Sequence, residues 1–135
     1  MKKMFFIVVA CLAILTSCKE KESDRFDLLT GHIWVAVSLL ADGVDATGPG
    51  GVLEGFVGDV KFNTDGTGYF GSYTGTWNFD VTETKIIISS PSLPASIPTN
   101  IVELTSSSLK LQALIPNLQN PTGPAINIEM AFRPK

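Results

Sequence analysis

The stretch Val60-Lys61-Phe62-Asn63-Thr64-Asp65-Gly66-Thr67-Gly68-Tyr69-Phe70-Gly71-Ser72-Tyr73-Thr74-Gly75-Thr76-Trp77-Asn78-Phe79 decides the fold. Its apolar residues recur at every second position, the period of a half-buried strand rather than of a helix. Phe56, Gly58, Val60 and Phe62 share one face and Val57, Asp59 and Lys61 the other, which predicts a strand over residues 55–62. Asn63-Thr64-Asp65-Gly66 reads as a type I turn closed by a left-handed glycine, the turn of a bulged hairpin. A strand over 67–70 follows, and Gly71-Ser72 suits a two-residue type II′ turn with glycine where φ must be positive. The next strand, 73–79, puts Tyr73, Gly75, Trp77 and Phe79 on one face and Thr74, Thr76 and Asn78 on the other. The tight turn sets Phe70 opposite Tyr73 and Gly68 opposite Gly75, so turn type and apolar pattern specify the same register.

The same period runs outward in both directions, and no segment after residue 26 carries a helical one. Strands are predicted over 33–40, over 84–89 with Ile86 and Ile88 inward, and over 99–105 with Val102 and Leu104 inward. Two more are predicted over 109–113, with Leu109, Leu111 and Ala113 on one face, and over 125–132, with Ile126, Ile128, Met130 and Phe132 inward. Sequential strands with short turns predict an all-β fold: an eight-stranded antiparallel up-and-down barrel or a strongly rolled meander sheet. A two-sheet sandwich is the alternative, although it usually needs longer crossovers. The 135 residues suffice for one domain, placed at 27–135. Its candidate interior is Trp34, Phe62, Phe70, Trp77, Phe79, Ile86, Ile88 and Met130.

Residues 1–17 read as a leader. Met1-Lys2-Lys3 is basic, and Phe5 to Leu15 is an apolar run of eleven residues, too short to span a bilayer but right for a signal-peptide core. Leu15-Thr16-Ser17-Cys18 is similar to the lipobox of bacterial lipoproteins. That resemblance implies cleavage before Cys18 and attachment there of acyl chains such as palmitate. The alternative is a secretory signal that leaves Cys18 free or paired. Losing the leader removes Lys2, Lys3 and Cys11 and leaves 118 residues with 8 basic against 13 acidic side chains, a formal −5. No second thiol remains for a disulfide, so stability must come from an apolar core. Residues 18–26 read as the lipidated cysteine and a charged tether, Lys19-Glu20-Lys21-Glu22-Ser23-Asp24-Arg25. The tether resembles the surface-export tags of some diderm lipoproteins, and Lys19 in place of Asp fits outer-membrane sorting. The implied location is the outer membrane, lipid-anchored, at the cell surface or else facing the periplasm.

Asp27-Leu28-Leu29-Thr30-Gly31-His32-Ile33-Trp34 resembles the opening turn and first strand of small bacterial lipocalin-like lipoproteins, although Gly31 and Trp34 stand three apart where lipocalins place them two apart. The Phe62-Asn63-Thr64-Asp65-Gly66-Thr67 and Gly75-Thr76-Trp77 segments are similar to the hairpin of that family. Ile101-Val102-Glu103-Leu104-Thr105 and Leu109-Lys110-Leu111 are similar to its closing strands. The resemblance covers about residues 27–132 and implies a barrel with a ligand at its mouth.

Loop lengths point the same way. The connections predicted at one end, 63–66, 80–83 and 106–108, are all short. At the other end only 71–72 is tight, while 41–54, 90–98 and 112–124 are long. A ligand-holding barrel is rimmed in this manner. The long loops carry Val44, Val52, Leu53, Leu93, Ile97, Leu114, Ile115 and Leu118, the candidate ligand or partner rim. They also carry seven of the eight prolines, which lower the ordering cost of binding. Either these side chains frame a hollow mouth or they fold inward and plug a barrel barely wide enough for its own side chains. A cavity lined by Trp77, Phe79 and Ile86 would favour a ligand, and a filled interior would favour an interaction surface.

Chemistry beyond binding has little to build on. His32 is the lone histidine and is placed in the opening turn, far from the rim. Asp42 and Asp45 read as a solvated turn, and Asn63-Thr64-Asp65-Gly66 lacks the repeated acids and distal Glu of a calcium loop. Nothing favours acid–base work by a pair such as Asp42 and Glu54. The expectation is a binding lipoprotein with no catalytic residues, no metal and no cofactor. Its partners are the bilayer through Cys18, a small apolar or amphipathic ligand, or an envelope protein docked on the rim. At pI near 5.0 it is not a nucleic-acid binder.

Overall fold

A computed structural model describes residues 24–93, 95–117, 120 and 122–135. The segment read as a leader, Cys18 and the start of the tether, and Pro94, Leu118, Gln119 and Pro121 lie outside the described residues. The described chain runs α1 (Asp24–Thr30), β1 (Ile33–Ala41), β2 (Val44–Asp45), a 3-10 turn (Glu54–Phe56), β3 (Asp59–Phe62), β4 (Thr67–Phe70) and β5 (Tyr73–Phe79). It continues through β6 (Lys85–Ser89), β7 (Ile97–Leu104), β8 (Leu109–Ile115) and β9 (Ile126–Pro134). Consecutive strands from β3 to β9 pair antiparallel; β1 pairs with both β3 and β9, which closes an eight-stranded barrel and rules out a sandwich. The two-residue β2 is an addition on the upper end of β1.

The deciding hairpins form as the sequence predicts. Gly66 takes φ +88° and donates from N to Asn63 O at 3.1 Å, while Asn63 N reaches Thr67 O at 2.8 Å. Gly71 takes φ +63°, and Phe70 faces Tyr73 while Gly68 faces Gly75. Inward residues of β3 to β6 are buried in alternation: Val60, Phe62, Phe70, Trp77, Ile86 and Ile88.

Three local readings change, and one irregularity is new. The strand predicted over 55–62 starts only at Asp59, because Gly58 at φ +120° breaks the extended run and residues 54–56 coil into the 3-10 turn. Val102, predicted inward, is 65% exposed, because a bulge between Ile101 and Glu103 inserts one residue and resets the alternation. A second bulge, between Ala36 and Ser38, lets Trp34 and Leu39 both point inward although they stand an odd five positions apart. The third changed reading is α1, which occupies residues read as tether and opening turn. Its single buried stripe, Phe26 and Leu29, is too short to register as a helical period. Asp24 and Asp27 complement its N-terminal dipole.

This helix stops the base of the barrel. Leu29 is fully buried and its carbonyl accepts the Trp34 indole N–H at 3.0 Å. Phe26 lies 5.8 Å from the Trp77 ring, Lys61 Nζ donates to Thr30 O, and Arg25 donates to Glu83 O at 2.7 Å in the β5–β6 turn. The chain end meets the same place, with Pro134 opposite Trp34 and Lys135 N on Ile33 O. The chain therefore enters and leaves the barrel at its base.

Candidate functional site

The barrel is filled below and open above. In the lower half, Phe62 contacts Phe70 and Trp77 at ring separations of 5.5 Å each, and Trp77 contacts Phe79 at 5.3 Å. The Trp77 indole N–H is spent on Asn63 O at 2.9 Å. Trp34, Ile86, Leu109 and Phe132 complete this layer, each at most 4% exposed. Phe79 is only partly buried and packs against its edge.

Above this layer lies a cavity of about 490 Å³, within the roughly 300–1,000 Å³ typical of small-molecule sites. Its walls follow a burial gradient. Ile88, Ala113, Ile128 and Met130, the upper inward residues of β6, β8 and β9, are at most 4% exposed. Phe56, Tyr73 and Leu53 wall one side. Leu93, Ile97, Pro98, Ile115 and Pro116 rise toward the opening, where Val52 and Leu114 are 44% and 64% exposed. Among the candidate rim residues, Val52, Leu53, Leu93, Ile97, Leu114 and Ile115 thus come together around one space. Val44 does not: it sits on β2, outside the cavity and 68% exposed. Of the candidate interior residues only Ile88 and Met130 reach the cavity. Trp77, Phe79 and Ile86, considered above as its lining, lie in the packed layer beneath, because the large aromatics cluster at the lower ends of their strands.

The segment from 46 to 58 folds over part of the mouth and is strapped to the β4–β5 turn. Gly55 O accepts from both Ser72 N and Ser72 Oγ, at 2.8 and 2.9 Å. Phe56 packs against Tyr73 in a tilted contact with centroids 4.9 Å apart. A Cβ on Gly71 would come within 2.5 Å of Gly55 O, so glycine is needed there for close approach as well as for φ. Phe56 and Tyr73 belong to the wall although the sequence reading did not place them in the site; their signal was membership of the inward face next to a long loop.

Polar groups on the wall are few. Thr99 Oγ1 donates to Ile86 O at 2.8 Å, and Ser96 Oγ pairs with Ser89 Oγ at 2.8 Å. Among the described residues the lining holds no Asp, Glu, Lys, Arg or His, which leaves no general base or charged nucleophile facing the cavity. His32 lies against Trp34 at 5.3 Å, at the base. Asp42 and Asp45 make turn contacts: Asp42 Oδ1 accepts from Asn127 N, and Asp45 Oδ1 from Thr47 N and Oγ1. No family model matches the chain, and no curated protein is similar to it.

Proposed function

We propose that this chain is a membrane-anchored lipoprotein whose lipocalin-like barrel binds a small apolar or amphipathic molecule in the loop-rimmed cavity. The observation that carries the reading is the cavity itself: preformed, apolar and floored at the barrel waist by a packed aromatic layer. An apolar molecule entering it loses water-exposed area at roughly 25 cal/mol per Å², and the prolines of the rim reduce the ordering needed on binding. The role assigned is retention rather than turnover, without metal or cofactor.

The lipobox residues support the anchor, and the base position of α1 supports its orientation. From Cys18 to Asp24 the chain spans at most about 20 Å when extended. The mouth then points away from the bilayer that holds Cys18, toward the medium on an outer-membrane surface or toward the periplasm on the inner leaflet. A second reading, docking of an envelope protein on the rim, draws support from exposed Val52 and Leu114.

The test is displacement of a neutral naphthylamine dye together with mass spectrometry of co-purifying small molecules. Dye uptake that Ala113→Phe abolishes without lowering the melting temperature is the expected result. Absence of uptake by the parent chain, with nothing co-purifying, would refute the ligand reading. Separately, Cys18→Ala should move the protein from the membrane to the soluble fraction.

A further inference from the structure

The ends of the barrel differ in charge as well as in loop length. The described cations, Arg25, Lys61, Lys85, Lys110, Arg133 and Lys135, all lie on α1, on the base halves of their strands or, for Lys135, just past the base end of β9. The mouth half carries Asp42, Asp45 and Glu54 on its first connection and Glu129 opposite Leu40. Hydrogen bonds from Thr47 hold the Asp45 carboxyl below the usual carboxylate range, so this charge persists at neutral pH. Glu54 Oε2 is held over the mouth connection by Gly50 N at 3.0 Å.

Among the described residues, none that lines the cavity carries a formal charge. Two of the lining residues, Tyr73 and the exposed Ser92, carry hydroxyls that make no hydrogen bond to any described residue, whereas Thr99 and Ser96 have theirs satisfied; the Tyr73 ring edge and hydroxyl lie over Gly55 of the mouth segment. Tyr73 is half-buried at the side of the wall, where a phenol can donate to or accept from a neutral polar atom. A carboxylate or phosphate taken into this space would lose its hydration with no cation to replace it. Outside it, the mouth half offers no described cation to receive the charge.

We infer that the cavity selects amphiphiles without negative charge, chain inward, with an uncharged hydroxyl, ester or amide group against Tyr73. The inference rests on the binding reading above and adds the class of ligand to it. Anionic surfactant-like molecules, free fatty acids included, are rejected by an apolar interior and by the acidic mouth half around it, acting together.

The experiment uses the full chain carrying Cys18→Ala, so that no acyl anchor of its own competes. Decanol and decanoate are titrated at pH 7.5, below their aggregation limits, against the bound naphthylamine dye. Decanol is expected to displace the dye at least about tenfold more effectively than decanoate. Asp45→Asn combined with Glu54→Gln is expected to narrow that gap, and Tyr73→Phe to weaken displacement by decanol. Equal displacement by decanol and decanoate would overturn the inference while leaving the binding reading intact. Failure of the dye and of both probes to bind would overturn both.

Discussion

Replacing Trp77 by Ala tests the lower layer on which the cavity rests. The side chain is 5% exposed, touches the rings of Phe26, Phe62 and Phe79, and ties β5 to the β3–β4 turn through its N–H on Asn63 O. Truncating a buried Trp costs ~3–5 kcal/mol, against a total stability of roughly 5–15 kcal/mol for a domain. At about 3–6 °C per kcal/mol for this size, the melting temperature should fall by about 10–25 °C. Far-UV circular dichroism on heating reads it directly. Trp77→Phe keeps most of the packing and loses the N–H, about 1–2 kcal/mol, so it should fall in between. A drop of only a degree or two for Trp77→Ala would refute the argument, because it would put Trp77 in water and β5 out of register by one residue.

Gly71→Val should destabilise the barrel by ~2 kcal/mol or more, since it combines positive φ with a clash against Gly55 O; dye uptake should weaken in parallel as the mouth segment lifts. Val102→Thr should change stability by less than about 0.5 kcal/mol, measured as the urea midpoint, because the bulge turns residue 102 to solvent; a large loss would restore the inward reading. Acid should also destabilise the fold. Asp65, Asp80 and Glu103 sit below their ordinary values through hydrogen bonds from Thr67, Thr82 and Ser108 respectively, and Asp45 through Thr47. A carboxyl with a lowered folded-state pKa stabilises the fold above its unfolded value and loses that contribution as pH falls through the folded one. The urea midpoint should therefore hold from pH 7 to about 5 and drop below about pH 4; a midpoint unchanged at pH 3 would show that these turns contribute nothing.

The sequence alone determined the barrel wherever a local rule acted without competition. Asn63–Gly66 and Gly71-Ser72 have backbone needs that glycine meets at known positions, and strict alternation from Thr67 to Phe79 leaves one register, so β4 and β5 were legible residue by residue. Loop lengths likewise placed six rim residues at one end before any contact was known. What local rules could not show depended on where distant segments meet. The bulges at 36–38 and 101–103 leave no composition signal, yet they decide which way Val102 and Leu39 point. Helix α1 is seven residues long and gains its order from Trp34, Trp77 and Lys61, all supplied by the barrel it closes. Alternation also says which side chains point inward but not at what height they stack. Only the closure of β1 on β9 set Trp34, Phe62 and Trp77 in one lower layer and left Ile88, Ala113, Ile128 and Met130 around an unfilled space. Whether a barrel of this size is hollow is a sum over the volumes of facing side chains, and that sum exists only once all eight strands are paired.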